Sequence, residues 1–139
     1  MTVITHSEAQ TEEWGSRLAA HLTAGTVVAF FGGLGMGKTA FVRGMARVLS
    51  PKAQVSSPTF ALVNDYGGNP PLVHFDMYRI SGWEDLDTTG YYEYQDRGAI
   101  LAVEWSENIE AALPPHTVRV CFRRLSDTER EITVEGVEL

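Results

Sequence analysis

Apolar and polar positions in the first half of the chain follow a strand–helix pattern. Residues 7–24 carry apolar side chains at helical spacing, which predicts a helix that ends near Gly25. An apolar run at 26–31 predicts a buried strand. Amphipathic spacing at 37–49 predicts a second helix, which stops before Pro51. The strand–helix alternation indicates an α/β protein.

The second half of the chain predicts shorter elements and a final hairpin. We expect one α/β domain over residues 1–139, with a mostly parallel sheet flanked by helices and an antiparallel hairpin at its C-terminal edge. The segments with these patterns are an extended stretch at 60–63 within 55–66, a turn at 67–71, strands at 72–76 and 99–105, a partly helical segment at 84–94, a short helix at 108–113, and strands at 118–124 and 130–135 joined by residues 125–128.

Composition and charge narrow the class of protein. The 139 residues are 44% hydrophobic and 21% charged, as in a globular domain with a core. No signal peptide pattern and no membrane-length apolar run are visible, so we expect a cytoplasmic protein without a membrane span. The single cysteine, Cys121, excludes an internal disulfide, and we expect it to be packed in a strand. A net charge of −7 argues against direct nucleic-acid binding, and Arg123-Arg124 is interpreted as a solvated strand end.

Residues 32–39 contain a phosphate-binding motif between the first predicted strand and the second predicted helix. Their sequence, Gly-Gly-Leu-Gly-Met-Gly-Lys-Thr, matches the P-loop (Walker A) pattern. Lys38 can reach the β- and γ-phosphates of a nucleotide, and the Thr39 hydroxyl can bind Mg²⁺. The alternative is a glycine-rich turn before an amphipathic helix. The positions expected to surround the phosphates with backbone N–H groups are Gly32, Gly33, Leu34, Gly35, Met36 and Gly37.

Two carboxylates follow apolar strands and are candidates for the metal site. Asp76 ends the run at 72–76 and Glu104 ends the run at 100–104. Carboxyl ends of neighbouring parallel strands meet at one edge of a sheet, where a P-loop protein holds its metal. Either acid could bind Mg²⁺, directly or through water, or orient the attacking water, and spacing does not assign these roles. Arg79 could stabilise phosphate charge or form an ion pair with Asp76, and we expect the ion pair. His74 and Asp76 form an H-x-D pattern on one face of a strand, but too few further histidines are present for a transition-metal site.

Three functions fit these motifs. The first is an ATPase, the second a small-molecule or nucleotide kinase, and the third a nucleotide-gated binding module with negligible turnover. A kinase usually needs an arginine-rich lid, and the late cluster of Arg119, Arg123 and Arg124 does not form such an insert. The N-K-x-D motif that commonly recognises guanine is missing from the sequence, which favours ATP over GTP as the nucleotide. No convincing arginine finger is present, so a partner could complete the site.

Several segments, taken in order, resemble the TsaE family of bacterial P-loop ATPases in tRNA threonylcarbamoyladenosine biosynthesis. The resemblance spans most of the chain. It implies a small ATPase, weak by itself, that works with two partner proteins of the sugar-kinase/Hsp70-like fold. Those partners modify adenosine 37 of tRNAs reading codons that begin with A, and the acidic chain is expected to meet tRNA only indirectly. The matching segments are GGLGMGKT at 32–39, SSPTF at 56–60, LVNDY at 62–66, HFDMYR at 74–79, EW at 104–105 and LP at 113–114.

The same resemblance implies roles for single residues. Lys38 and Thr39 take the phosphate and Mg²⁺ roles, Glu104 matches the family's Mg²⁺-associated acid, and Asp76 matches its Walker-B-like aspartate. Thr59, in a loop that resembles a switch, would sense the γ-phosphate or position water. Trp105 matches an aromatic residue beside the nucleotide site, and the alternative is a packed tryptophan. Three further residues are implied to contact the nucleotide from outside the P-loop, with ordinary surface residues as the alternative: Thr11, Glu107 and Arg130.

Overall fold

The computed structural model describes residues 1–32, 37–55 and 63–139. The predictions for Gly33, Leu34, Gly35, Met36 and Thr59 therefore lie outside the described residues. No helix in the described ranges is long and apolar enough to cross a bilayer. The strands are β1 (Thr2–Thr5), β2 (Val27–Phe31), β3 (Val63–Gly68), β4 (Pro71–Asp76), β5 (Ile100–Glu104), β6 (Val118–Arg124) and β7 (Arg130–Glu135); the helices are α1 (Glu8–Ala19), α2 (Lys38–Leu49), α3 (Trp83–Thr88), α4 (Tyr91–Asp96) and the 3-10 helix η1 (Ser106–Ala112).

The seven described strands form one mixed sheet in the order β1-β7-β6-β2-β5-β4-β3. Its centre is parallel, because β2 pairs with both β5 and β6, and β5 pairs with β4. Antiparallel strands complete both edges, with β3 beside β4 and with β7 and β1 beyond β6. Five of these strands run in the same direction, so the predicted α/β class and mostly parallel sheet are confirmed.

The two edges of the sheet differ from the expectation. The β6–β7 hairpin is antiparallel as predicted, but the unpredicted strand β1 pairs with β7 and forms the outer edge. Only Thr5 of β1 is buried, so its four residues carry little of the apolar alternation that identifies a strand. At the other edge, β3 contains Asn64 and Asp65, residue types that are uncommon in strands, so the sequence did not predict it. Its pairing with β4 is irregular between Asp65 and Gly68. Both strands depend on pairing with distant residues.

Hydrophobic clusters cover the two faces of the sheet. Along β2, Val28 and Phe30 face one cluster and Val27 faces the other, as alternation in a strand requires. The first cluster packs α1 and α2 onto the sheet, with the rings of Phe41 and Phe122 meeting edge to face at 5.7 Å. The second cluster lies under α3, α4 and η1. The helices therefore flank the sheet on both faces, as expected.

Helices α1 and α2 approach each other through two glycines. A Cβ added at Gly15 would lie 2.0 Å from the carbonyl oxygen of Phe41, and one added at Gly44 would lie 1.8 Å from that of Glu12. The Ser16 hydroxyl donates a 2.9 Å hydrogen bond to the carbonyl of Gly44 at the same crossing. The two backbones are thus in direct contact, which fixes α1 against the helix that follows the P-loop.

Cys121 corrects one expectation about packing. It lies on β6, but its side chain is exposed. Val120 and Phe122 are buried on the core side of the strand, and alternation therefore directs Cys121 to the opposite face. The apolar run around it made the cysteine look internal, although only one side of this strand is covered.

Candidate functional site

The N-terminus of α2 forms the centre of the candidate site. α2 begins at Lys38, a few residues after the carboxyl end of β2. Gly37 precedes it with φ of 90°, a left-handed conformation that glycine adopts without strain. The first N–H groups of a helix lack partners within the helix and carry partial positive charge. This end of α2 can therefore bind an anion such as a phosphate group.

A pocket of about 620 Å³ opens at this helix end. Its walls come from the start of α1, the first turn of α2, the end of β5 and the β6–β7 hairpin. The volume is in the range of pockets that bind small molecules. The structure brings six of the predicted site residues together around it: Thr11, Gly37, Lys38, Thr39, Glu104 and Arg130.

Lys38 is held in place although it is charged and almost fully buried, at 4% exposure. Its Nζ donates a 2.8 Å hydrogen bond to the carbonyl of Gly32 and lies 3.9 Å from Oε1 of Glu104. The Nζ also lies 5.0 Å from the centre of the Trp105 ring. A buried ammonium is rare unless it is paired. These contacts hold the ammonium group at the wall of the pocket, where phosphate oxygens would accept hydrogen bonds from it.

Glu104 is oriented by a buried histidine. Its Oε2 lies 2.6 Å from Nε2 of His74, and Nδ1 of His74 lies 3.1 Å from the hydroxyl of Tyr66. A carboxylate accepts hydrogen bonds, so Nε2 carries the proton, and in a neutral ring Nδ1 accepts the proton of the tyrosine hydroxyl. One oxygen of Glu104 is therefore fixed by His74, and the other is directed towards Lys38.

Sequence reasoning missed this use of His74 and Tyr66. The H-x-D pattern placed His74 and Asp76 on one face of a strand, but it did not identify the neighbouring strand. The register of β4 on β5 supplies this information, since Asp76 lies opposite Glu104 and His74 lies opposite Ala102. His74 and Glu104 are consequently diagonal neighbours on one face of the sheet.

Asp76 lies beside Glu104 but has a different local role. The two acids are register partners at the carboxyl ends of β4 and β5, as the sequence predicted. Oδ1 of Asp76 accepts a 2.9 Å hydrogen bond from the backbone N–H of Tyr78 and so caps the turn after β4. The expected ion pair between Asp76 and Arg79 is wrong: none of the ion pairs within residues 1–32, 37–55 and 63–139 includes Arg79, which is exposed.

Trp105 directs the chain away from Glu104 through an unusual backbone conformation. Its φ of 57° is the only positive value among the non-glycine residues described. This conformation is strained for a bulky residue, and such strain is concentrated at functional sites. The indole ring packs against Tyr78, with ring centres 4.9 Å apart, and so connects the turn after β4 to the start of η1. Glu107, one turn further on, is exposed on η1 and does not line the pocket.

The acidic ligands favour a hard cation over a transition metal. Within the described part of the chain, no group of three or more His, Cys, Asp and Glu side chains is placed to hold a metal. Mg²⁺ does not need such a cage, because it is usually held by one or two carboxylates, phosphate oxygens and water. The Thr39 hydroxyl with the Glu104 and Asp76 carboxylates fits that pattern.

The late arginines are engaged in ion pairs. Arg119 lies 2.6 Å from Glu110, Arg123 lies 3.1 Å from Glu131, and Arg124 pairs with Asp127. An adjacent acid offsets the charge of each side chain. This arrangement matches the interpretation of Arg123-Arg124 as a solvated strand end and gives no positive surface for a polyanion.

Comparisons with known proteins agree in one family. The family model described as "Threonylcarbamoyl adenosine biosynthesis protein TsaE" matches residues 5–132. A tRNA threonylcarbamoyladenosine biosynthesis protein TsaE from Treponema pallidum is 37% identical over 134 residues, which are 96% of this chain and 99% of that protein. The Bacillus subtilis protein of the same name is 38% identical over 120 residues, which are 86% and 75%. The crystal structure of Bacillus subtilis YdiB aligns with a TM-score of 0.76 and 31% identity, over 96% of this chain and 83% of that one.

Proposed function

The chain belongs to the TsaE family of tRNA threonylcarbamoyladenosine biosynthesis proteins, and from this premise we propose that it is a Mg²⁺-dependent ATPase of that pathway. One observation supports the catalytic part of the proposal most strongly. The buried Lys38 ammonium and the Glu104 carboxylate lie 3.9 Å apart at the N-terminus of α2, facing a pocket of nucleotide size. A cation and an acid at this position are what a P-loop site needs for phosphates and metal.

The residues that line the pocket, together with Asp76 on the neighbouring strand β4, would hold ATP and its metal. Lys38 and the first N–H groups of α2 bind the β- and γ-phosphates. The Thr39 hydroxyl and the Glu104 and Asp76 carboxylates hold Mg²⁺, directly or through water. Bound Mg²⁺ neutralises phosphate charge that develops during transfer. Thr11 of α1 and Arg130 of β7 line the pocket beside Gly37, where they would contact the nucleotide.

Hydrolysis needs a positioned water and charge stabilisation. We assign the water to the carboxylate that does not bind Mg²⁺ directly, since both acids are at the same sheet edge. Arg119, Arg123 and Arg124 are paired with acids, so none of the three is ready to stabilise the transferred phosphoryl group. We assign weak turnover to the isolated protein and completion of the site to a partner, as membership of the family implies.

The proposed partner is the two-protein threonylcarbamoyltransferase complex, whose subunits have the sugar-kinase/Hsp70-like fold, in the cytoplasm. The chain would reach tRNA through that complex. A net charge of −7 and the acid-paired Arg123 and Arg124 support this, because affinity for a polyanion depends on clustered free cations. Fluorescence anisotropy with labelled tRNA near physiological salt tests the point, and submicromolar binding by the isolated chain would contradict it.

The ATPase assignment is tested by phosphate release with and without the partner complex and tRNA. Lys38→Ala should lower turnover by roughly 10² to 10³, because it removes a charge that stabilises the transition state. Lys52→Ala is the matched control, since Lys52 is the other lysine of the chain and is exposed. Circular dichroism checks that both variants fold. Near-wild-type turnover of folded Lys38→Ala would contradict the assignment.

The same assay separates the alternatives. Strict dependence of phosphate transfer on a small acceptor would indicate a kinase. Nucleotide-dependent affinity for the partner that survives the loss of hydrolysis would indicate a binding module.

A further inference from the structure

An apolar groove lies between α3, α4 and η1, on the second hydrophobic cluster. It has a volume of about 340 Å³ and is named here the Trp83 groove. Trp83 at its rim is 70% exposed, and the nearby Tyr78 is 60% exposed. Exposed aromatic side chains around an apolar depression are typical of sites where a partner inserts an anchoring side chain. The apolar and aromatic side chains that line the groove are Ile80, Trp83, Leu86, Tyr92, Ile109 and Ala112.

From these features we propose that the Trp83 groove binds a partner protein through a positively charged segment that inserts an apolar side chain. The inference rests on the proposed function for the identity of that partner, the threonylcarbamoyltransferase complex, and adds the surface by which it is bound.

The two helices beside the groove, α3 and α4, carry an acidic surface, which is called the rim of the groove and which the exposed Arg79 and Arg97 bound along the chain. Between Trp83 and Asp96 the chain has five acidic residues and no lysine or arginine, so these 14 residues hold five of the 18 acids in the protein. All five are exposed on or beside α3 and α4. An apolar centre with a rim of one sign selects a partner of the opposite sign and speeds its association. The five acids are Glu84, Asp85, Asp87, Glu93 and Asp96.

The charge also decides between possible occupants. An RNA would bring its phosphates against the acidic rim, which is unfavourable. A second copy of the chain, meeting this face by two-fold symmetry, would bring the same five acids against each other. A protein segment with lysine or arginine beside an apolar side chain meets both requirements of the surface.

The groove shares two chain segments with the candidate site. One wall of the groove, residues 80–86, comes shortly after Asp76 in the chain. The other wall, η1, comes directly after Glu104 and Trp105. Nδ2 of Asn108 joins them, donating hydrogen bonds to the carbonyls of Met77 at 2.8 Å and Tyr78 at 3.1 Å. A partner in the groove therefore contacts elements that continue directly from the two candidate metal acids.

The test measures the affinity of the full chain, with ATP and Mg²⁺, for the reconstituted two-protein complex by calorimetry. Trp83→Ala removes the exposed aromatic ring, and the double substitution Glu84→Lys with Asp87→Lys reverses rim charge. We expect each to weaken binding at least tenfold, and we expect added salt to weaken the wild type more than the charge-reversed variant. Nucleotide affinity and circular dichroism should not change, since these side chains are exposed.

Matched control substitutions are available on another helix and near the C-terminus. Val48→Ala removes a 47% exposed apolar side chain from α2, and Glu138→Lys reverses an exposed acid. Both should bind the partner complex within twofold of wild type. An equal loss in controls and groove variants would overturn the proposal, because the effect would then be non-specific.

The remaining outcomes separate the inference from the proposed function. If the wild type binds the complex and the groove variants bind equally well, the groove is not the docking site, while the proposed function stands. If the wild type does not bind the complex, the partner assignment fails and the groove inference fails with it. A groove substitution that instead alters tRNA binding, or dimerisation in ultracentrifugation, would assign the surface to RNA or to a second copy and overturn the proposal.

Discussion

The contact between α1 and α2 leads to a prediction about Gly44→Ala. The new methyl group would lie 1.8 Å from the carbonyl oxygen of Glu12, whereas a carbon and a carbonyl oxygen normally stay about 3.3 Å apart. Both atoms belong to helix backbones, so a rotamer change cannot relieve the overlap. The helices must separate by roughly 1.5 Å at this point. The separation also strains the hydrogen bond from Ser16 to the Gly44 carbonyl.

The expected cost is the difference between two effects. Overpacking of this kind costs about 1–3 kcal/mol, and a rigid backbone contact belongs at the upper end of that range. Alanine within a helix gains about 1 kcal/mol over glycine. We expect Gly44→Ala to lower the free energy of unfolding by about 2 kcal/mol. For a chain of this size, this lowers Tm by roughly 6–10 °C.

Urea unfolding followed by circular dichroism measures this cost, with an unchanged m-value as the sign of two-state behaviour. Gly82→Ala is the control, because a Cβ there meets no atom within 4 Å and φ is −166°. It should change stability by less than about 1 kcal/mol. Since α1 also contributes Thr11 to the pocket, Gly44→Ala should weaken nucleotide binding. A Gly44→Ala variant as stable as wild type would refute the direct backbone contact.

Three further predictions follow from the site and the core. Glu104→Gln and Asp76→Asn should each raise the Mg²⁺ concentration needed for half-maximal phosphate release, and wild-type titrations for both would mean that other acids hold the metal. His74→Ala should lower stability by about 2–4 kcal/mol in urea, because it leaves a cavity and removes the hydrogen-bond partner of the buried Oε2 of Glu104, and an unchanged urea midpoint would contradict the contact. Burial, with a smaller effect of Tyr92, raises the pKa of Tyr91 to about 12 from 10. The neutral Tyr91 hydroxyl therefore contributes stability that is complete below pH 10 and is lost as the pH rises towards 12. Tyr91→Phe should flatten the fall in the free energy of unfolding across that pH range, and identical pH profiles for the two proteins would refute the shift.

The sequence predicted those parts of the site whose signal lies in contiguous residues. The P-loop pattern specifies its own strand–loop–helix context, so Lys38 and Thr39 could be placed before the fold was known. Glu104 and Asp76 could be placed because each ends an apolar run, and parallel strands bring such ends to one edge. In the structure Glu104 ends β5, which pairs with the P-loop strand β2, whereas Asp76 ends β4, one strand further away.

The parts that the sequence did not predict depend on pairing between distant residues. The contact of His74 with Glu104 needs the register of two strands whose residues are 30 positions apart. Strand β1 has almost no apolar pattern, and it is held in the sheet by pairing with β7, more than 120 positions away in the chain. The exposure of Cys121 depends on which face of β6 is covered, and local hydrophobicity does not carry this information. These are tertiary effects that override local propensity.

The pairing of β1 with β7 has a consequence for synthesis on the ribosome. Thr2 lies opposite Thr133, and Nδ1 of His6 lies 3.0 Å from Oε2 of Glu129, so the first and last segments of the chain together form one wall of the pocket. The P-loop strand and helix leave the exit tunnel long before β7 does, because chains emerge from their N-terminus. During translation the N-terminus of α2 therefore exists without the pocket wall that the β6–β7 hairpin supplies. The nascent protein can complete its pocket only after β7 has emerged from the tunnel.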